Sequence, residues 1–109
     1  MKNLDNKILQ INVGIIDNIS TIYLRGHFAF AAHREFKTAY QIQLSNPAIH
    51  KIVIDLAAIQ YLDSSALGML LVLRDHAIAA SKALILSRPS SIAARTFDVA
   101  GFHSVFTIT

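Results

Sequence analysis

The chain has 109 residues, of which 53% are hydrophobic and 16% are charged, and it contains no cysteine. This composition excludes a disordered chain and a disulfide-stapled scaffold, and the length fits a single domain over residues 1–109 with one core. The net charge of +3 comes from ten Lys and Arg residues that are scattered along the sequence, so we expect no nucleic-acid interface, which needs a clustered basic face.

A β-hairpin is predicted at the start of the chain. Residues 1–7 include Asp5 and lack the apolar core of a secretory signal, so we expect a cytoplasmic protein. Residues 8–16 and 19–25 are rich in Ile, Val, Thr and Tyr and read as two strands, joined at positions 17 and 18 by the turn-favouring pair Asp-Asn. We expect Gly26 to end the second strand.

A helix and a central strand follow the hairpin. Apolar residues at helical intervals predict a helix over about residues 32–44, which Asn46 and Pro47 end. Residues 51–56 are β-branched and almost continuously apolar, which is typical of a strand that is covered on both faces.

The rest of the chain repeats the alternation of strand and helix. The pattern predicts a helix over about 64–80, a strand over 83–86, a helix over 91–99 that begins at Ser90 as N-cap, and a last strand over 105–108. The longest apolar run of the chain is far shorter than the roughly 20 residues that span a bilayer, so we expect no membrane insertion. The alternation predicts an α/β fold with right-handed crossovers and a mixed, mostly parallel sheet of four to five strands.

The polar turn Asp63-Ser64-Ser65 lies between the central strand and the following helix. Asp and Ser are favoured N-cap residues, and a helix N-terminus presents free N–H groups and a positive dipole end. A catalytic serine needs a neighbouring base, which this stretch does not supply, whereas a phosphoacceptor serine needs only access to a kinase. The residues alone leave capping and phosphorylation open.

Other chemistry finds little support in the sequence. The five histidines form no i, i+4 pair, and the four glycines form no glycine-rich loop. We therefore expect no metal, no cofactor and no enzymatic activity. Asp55 and Asp63 flank the end of the central strand, where capping and solvent contact are favoured over pairing across a cleft.

A family resemblance adds to this interpretation. Residues 63–68, Asp-Ser-Ser-Ala-Leu-Gly, resemble the Asp-Ser-Ser-Gly-Leu-Gly signature of STAS-domain anti-sigma factor antagonists. The similarity covers nearly the whole chain and implies the STAS fold. It departs at Ala66, where the family usually has glycine, and after Gly26, where two acidic positions are lost. Further matching positions are Pro89, Phe97, Gly101, Phe102 and Phe106.

The resemblance also implies a function. Ser64 matches the regulatory phosphorylation site, so the unphosphorylated chain would bind a serine-kinase anti-sigma factor or related regulator, and phosphorylation of Ser64 would release it. A metal-dependent serine phosphatase would reset the switch, with the chain a monomer or weak dimer. Phosphate on Ser65 stays open, as does an alternative role as an accessory subunit of a membrane transporter without obligatory phosphorylation. The expected partner-binding residues are His27, Phe28, Leu62, Asp63, Ser65, Ala66 and Met69.

Phe28 and Phe30 have two interpretations. Both lie in the predicted loop after the second strand, at the sheet edge that a parallel topology places beside Asp63. They either cover the top of the core or contact the partner.

Overall fold

The computed structural model describes residues 8–109; residues 1–7, on which the prediction of no secretory signal rests, lie outside the described part. Two short 3-10 turns lie at Phe30–Ala32 and Phe102–Ser104. No helix in the described part is long and apolar enough to cross a membrane. The elements are β1 (Leu9–Ile16), β2 (Ile19–Phe28), α1 (His33–Ser45), β3 (Lys51–Leu62), α2 (Ser64–Ala79), β4 (Ala83–Ser87), α3 (Ser91–Ala100) and β5 (Thr107–Ile108).

The five strands form one sheet in the order β1-β2-β3-β4-β5. β1 and β2 pair antiparallel, and every later neighbour pairs parallel. Asp17 and Asn18 have φ angles of 53° and 65°, which suit the two-residue turn that matches the twist of a tight hairpin. The predicted hairpin and the predicted mixed, mostly parallel α/β fold are confirmed.

The core lies between one face of the sheet and the helices. All three helices contribute to a single buried cluster with alternate residues of the strands, as the period of two in a strand requires. A buried hydrogen bond of 2.8 Å from the Ser20 hydroxyl to the Gln43 amide oxygen ties β2 to α1. On the opposite face of the sheet Tyr23 is exposed. Representative members of the cluster are Ile22, Ile54, Leu86, Phe36, Leu70 and Phe97.

The sequence predicted that β2 ends at Gly26, but the strand continues to Phe28. Gly26 has a φ of 101°, and an irregularity in the pairing with β3 follows it. The His27 N–H donates to the carbonyl oxygen of Ile8 at 3.0 Å, so hydrogen bonding to the start of the hairpin continues past the glycine. The glycine marks a bulge in the strand rather than its end.

β3 is also longer than predicted, because it continues from residue 56 to Leu62. Two register shifts against β2 disturb the alternation of buried and exposed residues, so the second half of β3 lacks the regular pattern of a strand. Only residues 51–55 pair with β4 as well. Within the predicted residues 51–56, Ile52, Ile54 and Leu56 are fully buried on one face, whereas Lys51 and Val53 on the other face are only half-buried, so that face is covered only in part.

The C-terminal unit follows the predicted order with a shorter last strand. The Ser90 hydroxyl accepts the Ala93 N–H at 3.3 Å, so Ser90 is the N-cap of α3. Gly101 ends that helix in the left-handed region, with a φ of 72°. The Phe102 ring then stacks on Phe97, at a centroid distance of 5.3 Å. Val105 and Phe106, which the sequence placed in the last strand, donate their N–H groups to the carbonyl oxygen of Phe102 instead, so β5 is only two residues long.

Candidate functional site

Asp63 joins three elements at the turn between β3 and α2. Its Oδ1 accepts the Ala66 N–H at 3.1 Å and caps the helix. Its Oδ2 accepts the Phe30 N–H at 3.4 Å, which ties the loop after β2 to the same carboxylate. The Asp63 N–H itself donates to the carbonyl oxygen of Phe28 at 3.3 Å. The conformation of this turn therefore depends on one aspartate.

Ser64 is the first residue of α2, and its side chain is exposed. Within residues 8–109 its hydroxyl forms no hydrogen bond, so the oxygen is open to solvent. Ser65, the next residue, is half-buried. The backbone N–H groups of both serines belong to the first turn, where intrahelical acceptors are missing and the helix dipole is positive.

The burial of four predicted partner-binding residues changes the expected contact surface. Phe28 and Ala66 are fully buried, and Leu62 and Met69 nearly so. The Phe28 ring packs on Phe36 at a centroid distance of 4.8 Å, which makes it a core residue. In this structure the side chains of Phe28 and Ala66 are therefore not exposed to a partner, contrary to the prediction that they contact one. Both support the turn from beneath because their side chains hold β2 and α2 against the core.

The exposed residues of this region include Phe30, for which the sequence left two interpretations open, and two residues that sequence reasoning left out, Tyr61 and Gly68. Phe30 is 73% exposed, so of the two phenylalanines only Phe28 covers the core. Tyr61 is 44% exposed, and its ring lies 5.3 Å from that of the half-buried His27. Gly68 is exposed, and a Cβ built there would meet no atom within 4 Å. Gly68 could have been predicted from helical spacing, because a residue four positions after Ser64 lies on the same face of the helix.

A groove of about 330 Å³ between α1 and α2 opens next to this turn. Phe36, Tyr40 and Met69 form its apolar wall, and Phe30 and Ser65 lie at the end that faces the turn. Burial raises the pKa of the Tyr40 phenol above its usual value, so this hydroxyl stays protonated at neutral pH. Apart from Ser65, the other polar residues that line the groove are the basic residues His33, Lys37 and His76.

Asp55 does not pair with Asp63. Its Oδ2 accepts the Arg88 Nε–H at 2.9 Å, and its Oδ1 accepts the Ala57 N–H at 3.1 Å. The expected local capping is thus present, and a salt bridge to Arg88, the residue after β4, accompanies it. The hydrogen bond and the negative charge of Asp55 raise the pKa of the Arg88 guanidinium. This pair fixes the sheet and lies outside the Ser64 turn.

Comparison with known proteins places the fold. A STAS-domain containing protein of Pseudomonas aeruginosa strain UCBPP-PA14 is 39% identical over 89 residues, which are 82% of this chain and 86% of that protein. The solved structure of the anti-sigma factor antagonist SpoIIAA in its unphosphorylated form has a TM-score of 0.75 at 19% identity, over 94% of this chain and 88% of that chain. The phosphorylated form of the Bacillus cell fate determinant SpoIIAA has a TM-score of 0.69 at 19% identity, over 94% and 91%.

The family model of the STAS domain matches residues 10–109, which include every strand and helix described above except the first residue of β1. The sheet order, the helices and the Ser64 turn all lie inside this match. The chain therefore belongs to the STAS domain family.

Proposed function

We propose that this chain is an anti-sigma factor antagonist that works by partner switching. Its unphosphorylated form binds a serine-kinase anti-sigma factor or a related regulator, and phosphorylation of Ser64 releases that partner. A metal-dependent serine phosphatase restores the binding form. The chain is then the substrate of both enzymes rather than an enzyme, and it works in the cytoplasm, where sigma factors act.

The observation that carries the proposal is the geometry of Ser64. Its hydroxyl is exposed at the first residue of a helix, next to a capping aspartate. Such a position lets a kinase reach the oxygen without unfolding the helix. Structures of SpoIIAA in the unphosphorylated and the phosphorylated form share this chain's fold, which supports a fold that tolerates such a modification.

A phosphate at Ser64 would change the charge of the turn without unfolding the protein. Phosphorylation adds about −1.5 to −2 charges. The free N–H groups and positive dipole end of α2 stabilise such a group. The adjacent carboxylate of Asp63 concentrates negative charge on the same surface. A loss of about 3 kcal/mol of binding free energy would weaken a partner's affinity roughly a hundredfold.

The partner-binding surface in this proposal consists of the exposed side chains around Ser64. Phe30 supplies an apolar anchor, and Tyr61 with His27 forms an aromatic pair near the ends of β3 and β2. Gly68 lets a partner's backbone approach α2 closely, because no side chain stands there. Asp63 and Ser65 lie between these groups, whereas Leu62 and Met69 contribute only the small part of their surface that is exposed.

The deciding experiment is intact-mass analysis of the protein purified from its own cells, with fragmentation to locate any phosphate. We expect a phosphorylated species whose phosphate lies on Ser64. The Ser64→Ala variant should lack it, and the Ser65→Ala variant should keep it. Ser65 is the matched control because it carries the same hydroxyl one residue further on but is half-buried.

The two forms should also differ in binding. A kinase captured with the unphosphorylated protein should lose most of its affinity for the Ser64→Glu variant. The absence of phosphate from cells in growth, stress and stationary phase would contradict the switch. Phosphate that persists in Ser64→Ala would contradict the assignment of the residue.

A further inference from the structure

The outer edge of the sheet at β1 lacks the features that usually protect a strand edge. Within residues 8–109 β1 pairs only with β2, so its other edge has no strand beside it. Its eight residues, Leu-Gln-Ile-Asn-Val-Gly-Ile-Ile, include no charged residue and no proline. Natural proteins protect edge strands with lysine, proline or a covering segment, because a bare edge pairs with other strands. A long, neutral edge of this kind favours β-pairing.

A groove lies beside this edge, between β1 and α1, with a volume of about 520 Å³. Leu9, Ile11 and Val13 line it from the strand, and Ala39 and Ile42 line it from the helix. Ile42 is 61% exposed, so it adds exposed apolar surface to the helix side of the groove. An additional strand on the edge would cover both the free backbone groups and these apolar side chains.

The hairpin determines which backbone groups of β1 point outwards. Ile16 and Ile19 flank a two-residue turn and form its closing hydrogen-bonded pair. Hydrogen bonding to β2 therefore uses the even-numbered residues of β1, in agreement with the bond from His27 to Ile8. The N–H and C=O groups of the odd-numbered residues point to the free edge. These same odd-numbered residues, from Leu9 to Val13, line the groove.

We propose that β1 of a second copy of this chain occupies this edge, antiparallel to the first, and joins the two sheets into one. A two-fold axis at Asn12 is the register that uses all four odd-numbered residues. Leu9 then faces Ile15 of the other copy, and Ile11 faces Val13. The two Asn12 residues face each other in a non-hydrogen-bonded pair. Both α1 helices lie on the same side of the joined sheet.

The charge distribution favours a second copy over a charged partner. A two-fold axis brings identical groups together, so like charges near the axis would repel. Here the groove carries only Arg34 and Glu35, which have opposite signs and lie at the N-terminal end of α1. Residues 1–7 are a less suitable occupant, because the sequence Met-Lys-Asn-Leu-Asp-Asn-Lys is mostly polar. Ser64 lies after β3, two strands away from this edge, and stays accessible in the dimer.

The first test measures the mass of the full chain by sedimentation equilibrium from micromolar to near-millimolar concentration. We expect a reversible rise from 12.0 kDa to twice that mass. Val13→Lys should weaken this association more than about a hundredfold, because it places an unpaired ammonium in the covered groove. Val13 is 42% exposed in the single copy, so the variant should fold. Val99→Lys is the matched control at an 85% exposed position of α3, and it should dimerise as the unmodified chain does.

The second test fixes the register. The chain has no cysteine, so an Asn12→Cys variant carries a single thiol. Facing residues of a non-hydrogen-bonded antiparallel pair have Cα atoms about 4.5 Å apart, within the range that a disulfide spans. Mild oxidation should yield a covalent dimer from Asn12→Cys and none from Val99→Cys.

Three results would overturn the proposal. The first is a full chain that stays monomeric at every concentration. This result would overturn the proposal even if a variant that begins at Ile8 dimerised, because residues 1–7 would then be the segment that covers the edge. The second is a dimer that Val13→Lys leaves intact. The third is equal cross-linking of Asn12→Cys and Val99→Cys.

Discussion

Asp63 is the residue on which the geometry of the Ser64 turn depends, because its two carboxylate oxygens bind different elements. Asp63→Ala should lower the free energy of unfolding by about 1 kcal/mol, the usual effect of losing an N-cap side chain. Urea denaturation followed by circular dichroism measures this change.

Asp63→Asn is the control for charge, since asparagine caps a helix about as well as aspartate. It should stay within about 0.5 kcal/mol of the unmodified protein. Equal destabilisation by both substitutions would show that the negative charge, rather than the cap, stabilises the turn.

Gly68 separates stability from recognition. A methyl group there would meet no neighbouring atom, and alanine is favoured over glycine inside a helix by about 1 kcal/mol. Gly68→Ala should therefore raise the free energy of unfolding in urea denaturation. Gly68→Leu should fold equally well but lose affinity for the captured kinase, because its side chain fills the space of closest approach. Unchanged kinase affinity would remove this part of α2 from the proposed surface.

The bulge in β2 makes a prediction at the level of the element. Gly26 combines a φ of 101° with a Cβ direction that runs into the backbone oxygen of Ile8. Gly26→Ala should destabilise the protein by more than about 2 kcal/mol, since both the strained dihedral and the collision must be relieved. Differential scanning calorimetry of the variant and of the unmodified protein measures this loss of stability.

Gly14 in β1 is the matched control for Gly26. Its Cβ would lie 3.7 Å from the Tyr23 ring, an ordinary contact. Gly14→Ala should be neutral or slightly stabilising, because alanine loses less backbone entropy than glycine. Similar losses at both glycines would contradict the role assigned to the bulge.

The order and type of the elements could be predicted from the sequence, because each carries a local signal. The Asp17-Asn18 turn, the Ser90 cap and the Gly101 terminator depend on the dihedral preferences of those residues themselves. The ends of β2 and β3 could not be predicted. Both strands continue past the irregularities in their register because they pair with each other, up to Phe28 opposite Leu62.

The position of the candidate site could be predicted as well, but not which side chains reach its surface. Asp63 was identifiable as the N-cap of α2, with Ser64 as the first residue of that helix, because capping depends on residue type and helix position. Phe28 and Phe30 have the same side chain, and the first is buried while the second is exposed. Their difference comes from the continuation of β2, which points Phe28 towards Phe36.

At the scale of the whole molecule, one core serves every element. Phe97 of α3 is fully buried in the same cluster as residues of α1 and α2. Phe97→Ala should reduce the free energy of unfolding by about 3–5 kcal/mol, a large part of the 5–15 kcal/mol typical of a domain. Far-ultraviolet circular dichroism and tyrosine fluorescence should still report one coincident transition.

Val99→Ala in the same helix is the control for that core substitution. Its side chain is 85% exposed, so the change should stay within about 0.5 kcal/mol. Two separate transitions in Phe97→Ala would contradict a single cooperative core.

The unequal pairing of β3 has a consequence for the motions of the strand that leads into the Ser64 turn. The strand has β2 and β4 beside it as far as residue 55, but only β2 from there to Leu62. The backbone amides nearest the Ser64 turn thus have fewer neighbours than those at the start of the same strand. Local opening, which exchanges amide hydrogen with solvent, needs less free energy where fewer contacts break. The Ser64 turn therefore follows the part of β3 that has a paired strand on one side only, where we expect faster amide exchange than at residues 51–55.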